Sequence, residues 1–107
     1  MDPQTVYLDA AEWKEVREFR VALLRAVGGR AEVWGNHDGL LEEINLRGDE
    51  NPISAPLRIV IVNAYRVPGH VRDDILSIQE DLPLSTAEHD VYRGRRLDIR
   101  IELLSSA

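Results

Sequence analysis

Apolar residues recur along this chain with two periods, one helical and one of alternating positions. Between Ala10 and Val27 they fall at Trp13, Val16, Phe19, Leu23, Leu24 and Val27. Spacings of mostly three and four place them on one stripe of a helix. Asp9 stands at the N-cap position with Glu12 three residues on, a capping-box pair. Gly28-Gly29 supplies the stop, because glycine enters the left-handed region at little cost. Ahead of this helix, Thr5–Asp9 (TVYLD) reads as a short strand. After it, RAEVWGNHDGLLEEINLRG predicts a second, short helix of about two turns, capped by Asn36 or His37. Leu40, Leu41 and Ile44 give that helix an apolar edge, and Asp38, Glu42 and Glu43 an acidic one. Asp38 and Glu42, four apart, share a face. Gly48–Pro56 has loop composition.

Leu57–Asn63 (LRIVIVN) is a nearly continuous apolar run, the pattern of a strand buried on both faces of a parallel sheet. Tyr65–Gly69 reads as a turn. Val71, Ile75, Ile78 and Leu82 then predict a third helix that Pro83 stops. Ser85 with Glu88 offers a second capping box and a short fourth helix ending near Tyr92, and Arg93-Gly94-Arg95 a turn. Leu97–Leu103 (LDIRIEL) alternates strictly, as a half-buried strand does. Strands separated by helices imply right-handed crossovers. The expected fold is therefore α/β: a three-stranded parallel β-sheet with three to four helices packed on it, in one domain. Leu57–Asn63 is expected at its centre, and Trp13, Val16, Leu23, Ile59, Ile61, Ile99 and Ile101 in its core.

Composition narrows the function classes. The chain has 107 residues, 44% of them hydrophobic and 30% charged, and no cysteine. That excludes disulfide scaffolds, thiolate metal sites and cysteine nucleophiles. No apolar run is long enough to span a bilayer. MDPQTVYLDA lacks a basic patch followed by an apolar stretch, so no signal peptide is expected, and the cytoplasm is the expected location. The net charge of −6 argues against a nucleic-acid partner. Its distribution says more. Between Ala31 and Glu50 six acids face one base, Arg47, so this one segment carries −5 of the total. Such a concentration either forms a solvated face or steers a basic partner.

Candidate chemistry is sparse. His37-Asp38 and His89-Asp90 are pairs of a kind that metal hydrolases carry, but the three histidines have no ligand spacing, and no metal or cofactor is expected. Asp38, Glu42 and Glu43 are candidates for acid–base work, yet no nucleophile or oxyanion stabiliser accompanies them in sequence. Gly28-Gly29 follows a helix and does not open one, so it is no phosphate loop. The serines lie outside any nucleophile elbow. An enzyme is not expected. Trp34, just before Gly35 in the acidic segment, is either an edge-packing residue or an aromatic anchor for a partner.

The order of elements and the segment VWGNHDGLLEEI together resemble the barstar family, small intracellular inhibitors of guanyl-specific ribonucleases. That family has a three-stranded parallel sheet with helices packed on it. Its binding segment reads approximately aromatic-Tyr-Gly-Glu-Asn-x-Asp-Ala-Leu-Trp-Asp. Here Trp34 falls at the aromatic before the glycine, Gly35 at the glycine and Asn36 at the asparagine. Asp38 falls at the first aspartate, Leu40 at the leucine and Glu42 at the second acid. The loop is one residue shorter, Val33 replaces the first aromatic, and Leu41 stands where the family often has Trp. The resemblance implies a protein inhibitor that blocks a basic ribonuclease cleft with carboxylates as phosphate mimics. It implies a binding surface centred on Trp34, Gly35, Asn36, Asp38 and Glu42, with Leu41 beside them and His37 and Glu43 at the margin. A second contact is expected in 86–90, with Glu88 or Asp90 as a rim carboxylate. The expected partner is a basic ribonuclease, with no nucleic acid and no membrane, and the free protein a monomer. An immunity or regulatory protein that binds a different basic partner through the same surface is the alternative.

Overall fold

Leu57, Ile59 and Ile61 point to one side of their strand, and the helices pack on that side. The computed structural model, which describes residues 4–50, 57–93 and 99–104, contains three parallel strands. They are β1 (Gln4–Asp9), β2 (Leu57–Val62) and β3 (Ile99–Leu103), in the order β1-β2-β3. Two right-handed crossovers that advance in the same direction put their helices on the same face. The alternation follows. Val6 and Leu8 of β1, Leu57, Ile59 and Ile61 of β2, and Ile99, Ile101 and Leu103 of β3 meet the helices. Each fully buried Ile or Leu contributes about 1.5–3 kcal/mol. β2 is central, as its composition predicts, but helices do not bury both its faces. On the far side Arg58 is exposed, and Val60 is covered between its register partners Tyr7 and Glu102. Tyr7 itself is 67% exposed.

The first helix, α1 (Val16–Ala26), starts later than the Asp9/Glu12 pattern predicts. Asp9 closes a turn instead, its Oδ1 accepting from the Ala11 N–H (2.9 Å) and from Asn63 Nδ2 (2.8 Å). Glu18 does the capping, accepting from the backbone N–H groups of Lys14 and Glu15. Trp13 thus precedes the helix, yet it is buried and its ring lies 5.5 Å from that of Phe19. Val16, expected in the core, is half-buried. The C-terminus is as expected. Gly28 takes φ +74°, its N–H bonds the Arg25 carbonyl, and the Gly29 N–H bonds the Leu24 carbonyl.

A 3-10 turn (Ala31–Val33) leads to α2 (His37–Glu50). Asn36 is the cap: its Oδ1 accepts from the Gly39 N–H at 2.9 Å. At 14 residues, α2 is about twice the expected length and absorbs Gly48 and its two followers. Its inner face continues to Arg47, which bonds back to Glu43 one turn earlier. The rest of the expected loop, residues 51–56, lies outside the described residues.

Where two helices are expected after β2, there is one: α3 (Gly69–Arg93), 25 residues with Pro83 inside it. A proline inside a helix removes a hydrogen bond and crowds the preceding turn, at about 3 kcal/mol. The buried stripe Val71, Ile75, Ile78, Leu82 and Thr86 runs straight past it and offsets that cost. Gln79 ties α3 to the sheet, its Nε2 donating to the Ile101 carbonyl. Leu97, Asp98 and Gly94-Arg95 lie outside the described residues. No helix among the described residues is long and apolar enough to cross a membrane.

Candidate functional site

The period of α2 sorts its polar residues onto two faces. Leu40, Glu43, Ile44 and Arg47 form one row, turned inward. Asp38, Leu41, Glu42 and Asn45 form the next, which faces α3. On α3, Asp81, Leu84, Ser85 and Glu88 recur at helical spacing on the facing side. Together with His37 these eight residues line a groove of about 550 Å³ between the two helices.

The groove is apolar in the middle and acidic around it. Leu41 is buried, and Leu84 is exposed on the opposite wall. Asp38, Glu42 and Glu88 are exposed and Asp81 half-exposed, with no Lys or Arg among the described residues that line the groove. Asp38 lies in the first turn of α2, where the free backbone N–H groups favour a carboxylate. His37 bridges the walls, its Nε2 lying 2.8 Å from Asp81 Oδ2. The inner end is a closed polar cluster. Asn45 Nδ2 donates to Ser85 Oγ at 3.0 Å, and Thr86 Oγ1 donates to Asn45 Oδ1 at 3.1 Å. Ser85 therefore joins this cluster and is not a helix cap. The groove's histidine and serine are bonded to other groups, not to each other as base and nucleophile. Among the described residues, no group of three or more His, Asp or Glu side chains is placed to hold a metal ion.

The structure thus brings His37, Asp38, Leu41, Glu42 and Glu88 onto one surface, and the second contact expected around Glu88 is continuous with the first. The side chains of His89 and Asp90 lie outside the described residues. Other expected residues stand apart. Glu43, expected at the margin, is 2% exposed and faces inward. Its Oε2 accepts from the Arg30 backbone N–H and from Arg47 Nε, each at 2.8 Å. Burial raises its pKa, but these hydrogen bonds and the charges of Arg47 and Arg30 outweigh that and hold it below its ordinary value. Asn36 spends its side-chain oxygen on the α2 cap. Trp34 is half-buried beside the core, with the Arg17 guanidinium 5.9 Å from its ring centroid, and Gly35 is exposed next to it. Asp81, Leu84, Asn45 and Ser85 were not anticipated. The spacing 81-85-88 was readable as one helical face only if α3 continued through Pro83.

No protein-family model, curated protein or solved structure matches the chain.

Proposed function

We propose that this protein is a barstar-like inhibitor of a guanyl-specific ribonuclease, acting in the cytoplasm as a metal-free monomer until it meets its target. A ribonuclease cleft is basic because it binds phosphodiesters. A plug for such a cleft presents carboxylates where phosphates sit and an apolar centre that excludes water. The observation that carries this reading is the groove between α2 and α3, where Asp38, Glu42, Asp81 and Glu88 surround Leu41 and Leu84 without a Lys or Arg among them. The resemblance of the segment from Val33 to Ile44 to the family's binding segment supports it independently.

The test is inhibition of a panel of guanyl-specific ribonucleases by the purified protein, followed by dissociation rates of variants. Glu42 loses water on binding, and its removal leaves the nuclease's cations buried and unpaired, at about 2–5 kcal/mol. Glu42→Ala should therefore raise the dissociation rate about thirtyfold or more, since ~1.4 kcal/mol is tenfold. Glu80→Ala, on an exposed α3 position outside the groove, should change affinity by no more than about twofold. Equal, negligible effects of both substitutions would sink the phosphate-mimic reading. Binding to a basic protein that is not a ribonuclease would replace the proposed target with another basic partner.

A further inference from the structure

Arg20 lies on the packed side of α1 between Phe19 and Leu23, and it is only 9% exposed. Its guanidinium donates three hydrogen bonds in two directions. Nε and Nη2 grip the carboxylate of Asp74 on α3, at 2.9 and 2.7 Å. Nη1 donates to the backbone carbonyl of Trp34 at 3.0 Å, in the turn that leads into α2. One turn earlier on α1, Arg17 holds the Trp34 ring.

We propose that Arg20 and Asp74 are positioning residues, which fix the turn at 34–36 and the start of α2 against α3 and so set the spacing of the groove's two walls. A buried ion pair contributes little net stability, because desolvation cancels most of the attraction, and well-packed apolar residues often replace it without loss. What apolar residues cannot replace is the third bond. The three bonds leave from three separate nitrogens of a rigid fork, and the single, shorter-reaching nitrogen of lysine cannot reproduce all three in place. The geometry also links the pair to the groove. Asp74 and Asp81 are seven residues apart and so share a face of α3. The first holds Arg20, whose Nη1 grips the turn before α2, and the second bonds His37 in the first turn of α2. A surface held in its bound shape loses less entropy on binding, a gain that appears mainly as slower dissociation.

This inference rests on the groove and the preceding turn being the recognition surface, so its test has an arm that needs no partner. The amides of Trp34 and Asn36 bond the carbonyls of Ala31 and Val33, so their hydrogen exchange reports the turn. In R20M/D74L, exchange at these two amides should rise about tenfold while the amides of Leu23 and Ile61 keep their protection. The urea midpoint should stay at or near the wild-type value. Against a ribonuclease that the wild type inhibits, the double variant should dissociate about tenfold faster at an unchanged association rate. Unchanged exchange at Trp34 and Asn36, or unchanged dissociation, overturns the proposal. So does a general loss of protection with a lower midpoint, which marks a merely structural pair. If the double variant does not fold, R20K decides. It keeps the charge and a bond to Asp74, so a folded R20K with faster exchange at Trp34 supports the proposal, and one identical to wild type refutes it. If no ribonuclease is inhibited, the exchange arm still decides on the positioning role, and the functional reading alone fails.

Discussion

Glu42 and Glu43 are chemically alike and adjacent, yet one step along the helix separates their roles. A step of one residue rotates the side chain by about 100°, enough to carry it from the groove to the inner face. The clue to Glu43 was Arg47, four residues on, which reads equally well as a solvated pair. Burial decides between the two, and that depends on Arg30 and Gly29 folding over the carboxylate. A Cβ at Gly29 would stand 3.1 Å from Glu43 Cγ. Because the folded carboxyl titrates below its ordinary value, it contributes stability that is complete above the usual Glu range and is lost as pH falls through the folded value. Glu43→Gln keeps the shape but leaves Arg47 and the Arg30 backbone without their charged acceptor. It should cost about 1–3 kcal/mol at pH 7. The gap between the two proteins should close below about pH 4. Urea midpoints measured from pH 7 down to 3 check this. Asp9, whose carboxyl is lowered first by the hydrogen bond from Asn63, adds to the acid limb of both proteins and drops out of the difference. Parallel curves would mean that Glu43 is not the group responsible.

At the next scale, the elements that were legible were those whose pattern had one physical reading. The alternation in β3, the apolar run of β2 and the glycine stop of α1 each admit a single geometry, and they define the parallel sheet and most of its core. Misreadings arose where a strong local signal met a stronger tertiary one. Asp9 and Glu12 fit a helix start, but burying Trp13 ahead of the helix places the start at Val16. Pro83 fits a stop, but Leu82 and Thr86 keep the buried stripe going. That second misreading also hid Asp81, because half of the groove's acidic face comes from α3. Pro83 is exposed, so its cost lies in the backbone alone. Pro83→Ala should recover about 3 kcal/mol of helix propensity and give back about 0.4–1 kcal/mol through a freer unfolded chain. A net gain of about 2 kcal/mol in urea unfolding is the expected result. A loss would show that the proline shapes the packing of Leu82 and Thr86.

Over the whole molecule, charge and topology divide the labour. Winding the described helices onto one face of the sheet brings α2 and α3 side by side, where carboxylates distant in sequence share a groove. The segment from Ala31 to Glu50 supplies −5 of the net −6, and two of its acids, Asp38 and Glu42, face the groove, where α3 adds Asp81 and Glu88. A field built this way acts at two ranges. Beyond contact, on the proposed function, it would steer a basic protein inward, and salt would weaken it as the Debye length shrinks from about 10 Å at 0.1 M to about 3 Å at 1 M. On the proposed function, Asp38 and Glu42 would be desolvated against the partner within contact and screened far less. Association with the target ribonuclease should therefore slow about tenfold or more between low and high salt, while dissociation changes little. Glu80→Ala should lower the association rate at low salt and leave dissociation alone, because it removes field but no contact. Glu42→Ala removes both and should change both rates. Stopped-flow association and chase dissociation across a salt series separate the two contributions. If salt acted mainly on dissociation, the carboxylates would still be hydrated in the complex, and they would not be standing in for bound phosphates.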